Sequence, residues 1–307
     1  MSMKKIKEKN LTWTYIDSTD EETIAFLEKN HRFHPLDIED VQTGGSQVPK
    51  LDTYKDYLFL VLQFPQWKDG KKSITRQEVY IFFGDDYVIT IEPERTSVMK
   101  NIFYRCMKTD DVRNEWMSGS SGFLVYNIIE SVLHTTQPIL SELGKRLSEA
   151  EEEIFQDSPD ISLIKEIAMY RRDILKFRRV IDPQRYLISS LSHTHRTFLD
   201  ESLGVYFDDL TDFLNKQWSI LESFRDTIEG LHVTLESVTN QRTTQVISFL
   251  TFISVGLMPF TLLSSIYGMN LVHLPYANHP IIVWSMFGLL GILTMLFIMY
   301  MRRKKWL

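Results

Sequence analysis

The distribution of apolar and charged residues divides the chain into a long charged part and a short apolar part. Residues 246–301 contain no Asp, Glu, Lys or Arg, and two apolar runs lie within them, Val246–Tyr267 and Ile281–Met301. Each run reaches the length of roughly 20 apolar residues that a helix needs to cross a bilayer. The pattern therefore predicts two membrane-spanning helices at the carboxyl end of the sequence.

The first apolar run carries a regular series of polar side chains. Hydroxyl residues recur at steps of three or four, with one methionine filling a gap, so they share one face of a helix. The series consists of Ser248, Thr251, Ser254, Met258, Thr261 and Ser265. Such a stripe either hydrogen-bonds to neighbouring helices or lines water, and by itself it leaves both interpretations open. The second run has no stripe.

The charged part begins with an α/β pattern. Its predicted strands are Leu11–Ile16, Tyr57–Phe64, Glu78–Phe83 and Tyr87–Ile91, with turns at Asp69-Gly70 and Gly84–Asp86. We also expect a helix capped by Ser18 or Thr19 and a short helix over His34–Val41 with Pro35 in its first turn. The expected fold class is an α+β domain with a mixed sheet and helices.

Helical patterns replace the strand signal after about residue 97. They predict helices over roughly 97–108, 120–156 and 161–199, with a break at 157–160 and a kink at Pro183. A single helix from about Leu203 to Tyr267 should follow. Its first half carries a heptad seam that serves self-association, packing within the chain, or both. The seam consists of Leu221, Phe224, Ile228, Leu231, Leu235 and Val238.

Composition and charge exclude several functions. A net charge of −6 argues against a nucleic-acid surface, which needs clustered Lys and Arg. Cys106 is the only cysteine, so neither an intrachain disulfide nor a cysteine zinc site is expected. No phosphate-binding glycine loop is present, and His193 and His195 lie on different faces of a predicted helix. We therefore expect that the protein is not an enzyme. The first ten residues are basic, but no apolar run follows them, so a signal peptide is not expected.

The flanking charges predict the topology. The segment between the two runs contains no Lys or Arg, whereas Arg302-Arg-Lys-Lys305 closes the second run. By the positive-inside rule, the basic tail and the large charged part are cytoplasmic. The prediction is a multi-pass protein of the plasma (inner) membrane with both termini in the cytoplasm.

Tyr267-Gly-Met-Asn270, directly after the stripe, resembles the corresponding motif of the CorA family of magnesium channels. Tyr267-Gly-Met-Asn270, Met258-Pro-Phe-Thr261, and the N-terminal His34–Val41 followed by Pro49-Lys50 carry the resemblance, which covers nearly the whole chain. It implies a funnel-shaped homopentamer in which a very long pore-lining helix enters the bilayer. The expected segments are 1–200, a cytoplasmic α/β domain with a helical hairpin; 201–245, a stalk helix; 246–268, the first transmembrane helix; 269–280, an extracytoplasmic loop; 281–301, the second transmembrane helix; and 302–307, a basic cytoplasmic tail.

The resemblance also implies roles for individual residues. Gly268, Met269 and Asn270 would form the selectivity filter, with Asn270 holding Mg²⁺ through its bound waters. Residues expected to line the pore are Thr244, Leu250, Thr251, Ser254, Met258, Thr261 and Ser265. Mg²⁺ dehydrates reluctantly, so neutral amide and hydroxyl groups that accept hydrogen bonds from its waters suit this ion. Relatives often have Asn where this chain has Thr244. The threonine side chain is shorter, so the ring of polar groups that copies of Thr244 would form around the pore reaches less far toward its axis.

The outer loop departs from the family pattern. Many relatives have acidic residues soon after Gly-Met-Asn, whereas this loop has only His273 and His279 as titratable groups besides Tyr276. Imidazole suits Zn²⁺, Co²⁺ and Ni²⁺ better than Mg²⁺. The expected function is passive Mg²⁺ uptake, with Co²⁺ or Ni²⁺ as further substrates. The alternatives are a CorA-like zinc transporter and a non-conducting, membrane-anchored oligomeric sensor or scaffold.

Regulation is expected in the acidic cytoplasmic part. In the family, Mg²⁺ bound between neighbouring subunits holds the pore shut. Asp209 stands where the stalk carboxylate of that site is expected, with Asp208 and Asp212 beside it. The partner should follow the last strand, where Glu92 and Glu94 are the available carboxylates. Mg²⁺ is thus expected as both transported ion and regulatory ligand.

Overall fold

A computed structural model describes residues 3–44, 48–68, 70, 73–93, 98–154, 161–270, 275–276 and 279–303. They form two compact units, Met1–Leu231 and His232–Leu307, which divide inside one long helix. The strands are β1 Met3–Glu8, β2 Leu11–Ile16, β3 Lys50–Thr53, β4 Leu58–Lys68, β5 Ser73–Phe83 and β6 Tyr87–Ile91. The helices are α1 Glu21–Asn30, α2 Pro35–Thr43, α3 Val98–Lys108, α4 Asp110–Met117, α5 Ser121–His134, α6 Gln137–Ile154, α7 Ile161–Ser192, α8 Gly204–Tyr267 and α9 Pro280–Arg303.

The six strands form one mixed sheet in the order β1-β2-β6-β5-β4-β3. Only β2 and β6 run parallel, and the other neighbours are antiparallel. Alternate residues of the central strands are buried on opposite faces, as the pleat requires. On one face Phe33 and Ile38 pack against Phe59 and Phe82, while on the other Trp13 contacts Phe103 of α3. The α+β class with a mixed sheet is therefore confirmed.

Side chains of α7 bind backbone groups along the sheet. The Asp173 carboxylate accepts a hydrogen bond from the amide of Ile74 at 3.2 Å, and the Lys176 ammonium donates to the Ile74 carbonyl at 2.7 Å. Further along, the Gln184 side-chain oxygen accepts from the Gln63 amide at 3.2 Å. Buried backbone groups need such partners, so these contacts fix α7 on the sheet.

Several boundaries differ from the sequence-based expectation. The strands β1 and β3 and the helix α4 were not predicted, because β1 is rich in lysine and β3 has only four residues. The predicted helix 120–156 is divided, since the hydroxyls of Thr135 and Thr136 donate to the carbonyls of Val132 and Leu133 and end α5. The helix α7 ends at Ser192 rather than 199, and it continues through Pro183.

The cap of α1 is also corrected. Asp20, and neither Ser18 nor Thr19, is the N-cap: its carboxylate accepts a hydrogen bond from the Thr23 amide at 3.0 Å. The Ser18 hydroxyl donates instead to Asp20 at 3.0 Å. The short helix α2 begins as predicted, with His34 as cap and Pro35 in its first turn.

The long helix and its heptad seam agree with the prediction. The helix α8 has 64 residues and begins one residue after the expected start. Leu221, Ile228, Leu231 and Leu235 are each at most 5% exposed within a single chain. This burial confirms that the seam packs within the chain, the second of the two uses considered for it.

Candidate functional site

Among the described residues, two helices are long and apolar enough to cross a membrane, the helix α8 and the segment Pro280–Met301 of α9. Both predicted spans thus lie on helices. In the unit His232–Leu307, α9 packs against one face of α8. Residues of α8 that are only partly exposed on this face are Phe252, Gly256, Pro259, Phe260, Leu263 and Tyr267. They repeat at helical spacing, as the contact face of a packed helix should.

The polar stripe lies on the other side of α8. Thr251, Ser254, Met258, Thr261 and Ser265 are all exposed, as are Thr244 and Leu250. At 3.6 residues per turn, the stripe and the face that contacts α9 point in roughly opposite directions. The second span therefore does not cover the stripe, and Met258 is 71% exposed in one chain.

The hydroxyl groups of the stripe are oriented by their own helix. Thr244, Ser254 and Thr261 each donate a hydrogen bond of 2.9 Å to the carbonyl four residues earlier. A hydroxyl has one proton to donate and two lone pairs that accept. With the proton used inside the helix, each oxygen presents lone pairs outward. Such a surface suits the waters of a hydrated cation, whose protons point away from the ion.

The carboxyl end of α8 is closed by backbone hydrogen bonds. The Gly268 amide donates to the Ser264 carbonyl at 2.9 Å, and the Met269 amide donates to the Ile266 carbonyl at 3.3 Å. The Tyr267 hydroxyl donates to the Pro275 carbonyl at 3.2 Å, which braces the loop between the two spans. Gly268, Met269 and Asn270 are exposed immediately after the helix. His273 lies outside the described residues.

The carboxylates predicted to bind a regulatory ion include two in the unit Met1–Leu231. Asp208 and Asp209 are exposed near the beginning of α8. The hydroxyl of Tyr126 on α5 donates to Glu130 at 2.8 Å. Burial first, then the hydrogen bond and charge of Glu130, and then the charge of Asp209 raise the pKa of Tyr126. Asp209 and Glu130 therefore both raise the pKa of the same hydroxyl group, that of Tyr126.

Glu130 was missed by the sequence analysis. It lies on α5, 79 residues before Asp209, and nothing in its local sequence distinguishes it from other helix carboxylates. Aromatic contacts explain how the two come together: Tyr126 packs against Tyr206 with ring centroids 5.1 Å apart and against Phe207 at 6.1 Å. Packing of α5 on α8 thus brings a second carboxylate to the Asp209 region.

Glu92 occupies a different environment from the expected one. It is 1% exposed and accepts a hydrogen bond of 3.0 Å from the Tyr15 hydroxyl, while its Oε1 atom is buried without a hydrogen-bond partner. Burial raises its pKa to about 7. An ion held between subunits could not reach this carboxylate in the described conformation. Glu94 lies outside the described residues.

No group of three or more His, Cys, Asp or Glu side chains is placed to hold a metal ion in the described parts of one chain. Asp208, Asp209 and Glu130 therefore do not form a complete coordination shell by themselves. Since Mg²⁺ usually keeps several of its waters, one or two carboxylates are a common protein contribution.

Comparison with known proteins points to one family. A family model described as CorA-like Mg²⁺ transporter protein matches residues 8–303. The cobalt/magnesium transport protein CorA of Thermotoga maritima is 24% identical over 279 residues, which are 89% of this chain and 77% of the relative. The zinc transport protein ZntB of Pectobacterium carotovorum is 22% identical over 298 residues, which are 96% of this chain and 88% of the relative.

A solved structure shares the fold. The CorA magnesium transporter from Methanocaldococcus jannaschii superposes with a TM-score of 0.83 at 19% identity, covering 98% of this chain and 93% of that chain. Its likeness extends over the mixed sheet, the very long helix and the C-terminal apolar helix. Because the family model covers nearly the whole sequence, the chain belongs to the CorA family of divalent-cation transporters, which are membrane proteins and not enzymes.

Proposed function

We propose that the protein is a homopentameric channel for the passive uptake of hydrated Mg²⁺ across the plasma (inner) membrane, with both termini in the cytoplasm. The membrane potential supplies the driving force, at about 2.3 kcal/mol per elementary charge per 100 mV and twice that for a divalent ion. Co²⁺ and Ni²⁺ are further substrates. Lipid surrounds the second span.

The observation that carries this proposal is the uncovered polar stripe of α8. Its hydroxyls present lone pairs on the face opposite α9. One copy has only two spans and cannot enclose water, so several copies of α8 must surround an axis if the stripe is to be wetted. Five copies agree with the family resemblance, and Thr244, Thr251 and Ser265 complete the polar lining.

Apolar residues of the same face would provide the gate. Leu250 and Met258 are 56% and 71% exposed, and neither is covered by its own chain. Rings of such side chains around an axis form constrictions that close a pore by excluding water. The hydrated ion then passes only when the helices move apart.

Asn270 would select the ion at the outer mouth. A ring of carboxamide oxygens accepts hydrogen bonds from the waters of Mg²⁺ and holds the ion without removing its hydration shell. Gly268 allows close approach of the backbone, since a Cβ there would lie 3.1 Å from the Ser264 carbonyl oxygen. Together with Met269, these residues form the proposed filter.

Zn²⁺ is the second candidate substrate, because a relative over 96% of the chain is named a zinc transport protein. The Gly-Met-Asn tripeptide favours Mg²⁺, since neutral oxygen groups suit a hard hydrated ion better than Zn²⁺, which prefers nitrogen and sulfur ligands. Competition among Mg²⁺, Co²⁺, Ni²⁺ and Zn²⁺ in one flux assay ranks the substrates directly.

We further propose that cytoplasmic Mg²⁺ closes the channel at Asp209. The ion would lie between neighbouring subunits, with Asp208 and Glu130 near the same surface. When Mg²⁺ is scarce, repulsion among the unneutralised carboxylates favours the open state, which is a population shift by a ligand.

The function is tested by Mg²⁺ flux into proteoliposomes with Asn270→Ala, using Ser285→Ala in the second span as the matched control. Asn270→Ala should lose Mg²⁺ selectivity or flux, and Ser285→Ala should behave as the parent. Unaltered selectivity and flux in Asn270→Ala would rule out the filter. Absence of flux from the parent protein, or a monomer by mass measurement in detergent, would support a non-conducting scaffold instead.

A further inference from the structure

A cavity of about 1040 Å³ lies in the unit Met1–Leu231. It is bounded by α7, the first residues of β5 and one aromatic residue of α8. Four cationic side chains line it, Arg76, Lys176, Arg178 and Arg179, against one carboxylate, Asp182. The lining of this cavity is therefore positively charged, although the chain as a whole carries a net charge of −6.

Two of the four cations have carboxylate neighbours that leave most of their donors unused. Arg76 lies 3.6 Å from Glu78, and the Lys176 ammonium lies 3.6 Å from Asp173. Both separations are longer than a hydrogen bond. Lys176 uses one donor on the Ile74 carbonyl. An arginine has five N–H donors and a lysine three, so both retain capacity for a ligand.

The other two cations lie next to each other in sequence but differ in their partners. Arg178 forms an ion pair with Glu222, yet its Nε atom is buried without a hydrogen-bond partner. Arg179 is exposed and makes no ion pair within the described part of the chain. Arg179 is therefore the cation most available to an anion that occupies the cavity.

Trp218 of α8 completes the wall and holds one of its cations. The Arg178 guanidinium lies 4.7 Å from the ring centroid of Trp218, and the Arg185 guanidinium lies 5.1 Å from the same centroid. Two cations thus already lie over this ring, so it positions arginine side chains and does not offer a free surface. The cavity combines cationic donors with one aromatic residue that orients them.

We propose that this cavity binds an anion with adjacent phosphate groups, of the class of nucleoside polyphosphates. Guanidinium groups bind phosphate oxygens in a bidentate manner, and their spread over the wall suits more than one phosphate. The volume suits a ligand of nucleotide size. Trp218 holds Arg178 at the wall, so the phosphate groups of the ligand carry the recognition. Inorganic polyphosphate offers the same phosphate chemistry without a base.

The test is calorimetric titration of the full chain in detergent, with EDTA present, against ATP, tripolyphosphate, AMP and adenosine. ATP and tripolyphosphate should bind and adenosine should not. Tripolyphosphate binding as tightly as ATP would identify inorganic polyphosphate as the ligand, whereas tighter ATP binding would identify a nucleoside polyphosphate. Binding is measured without transport, so the result is independent of the proposed channel function.

Arg179→Gln should weaken ATP binding about tenfold or more, as expected when one charge-assisted contact is lost. Arg172→Gln is the matched control, because Arg172 is an exposed arginine seven residues earlier on α7 that does not line the cavity. A second variant, Arg76→Gln, should weaken binding as Arg179→Gln does. Absence of ATP and tripolyphosphate binding at millimolar concentration, or equal affinity in Arg179→Gln and Arg172→Gln, would overturn the proposal.

Discussion

Gly256 of the first span lies against Thr294 of the second, because a methyl group added at Gly256 would lie 3.7 Å from the Thr294 Cγ2 atom. This is ordinary van der Waals distance, so Gly256→Ala should be tolerated. Gly256→Leu should overpack the contact and cost about 1–3 kcal/mol. Thermal unfolding in detergent measures this difference.

Gly288→Leu on α9 is the control for that experiment, since nothing lies within 4 Å of a Cβ built at Gly288. Its melting temperature and its Mg²⁺ flux should match those of the parent. Equal melting temperatures for Gly256→Leu and Gly288→Leu would contradict the described packing of the two spans.

Closure by internal Mg²⁺ should depend on both carboxylates near Tyr126. Asp209→Asn and Glu130→Gln remove charge with little change of shape, and each should raise the Mg²⁺ concentration for half-inhibition by about fivefold or more. Flux from proteoliposomes loaded with graded Mg²⁺ gives this value. Glu229→Gln, an exposed position further along α8, should leave it unchanged. Parent-like inhibition in both variants would remove Asp209 and Glu130 from the regulatory proposal.

The packing of α6 on α8 should respond strongly to a single methyl group. A Cβ at Gly144 would lie 2.8 Å from the ring tip of Phe224, which must then move. Overpacking against Phe224 should cost Gly144→Ala about 1–3 kcal/mol, which outweighs the helix-propensity gain of about 0.5–1 kcal/mol that alanine brings inside α6. Gly230→Ala is the matched change, with no atom within 4 Å, and should gain about 0.5–1 kcal/mol from helix propensity. Opposite shifts in melting temperature are expected, and shifts of the same sign would contradict the contact.

The buried carboxyl of Glu92 should make stability fall as pH rises. Its pKa is raised from 4.5 to about 7, so the folded chain holds this proton where the unfolded chain has released it. Stability from this group is therefore fully present below pH 4.5 and is lost as pH rises to about 7, by on the order of 1–3 kcal/mol. Glu92→Gln should flatten this part of the profile measured by thermal unfolding between pH 4.5 and 8. Parallel profiles for parent and variant would show that Glu92 does not titrate in this range.

Much of the fold could be predicted from local pattern. Alternation located β2, short apolar runs located β4, β5 and β6, and long apolar runs located both spans. The long helix α8 was found because no Pro or turn cluster interrupts it before Val246, while Pro259 lies among residues that still support the helix. The edge strands β1 and β3 were not predicted, because they bury few side chains and so contain few apolar residues.

Sequence alone established the stripe on α8, the tripeptide Gly268–Asn270 and the family resemblance, because spacing along one helix is a local property. Only the tertiary structure decided which face of α8 the second span covers and that Glu92 is buried beneath Tyr15. It also brought Glu130 to the hydroxyl that Asp209 influences, across 79 residues of sequence. These relations depend on contacts between elements far apart in the chain, for which no local period exists. The stripe was visible from its spacing, and the packing of α9 left it uncovered.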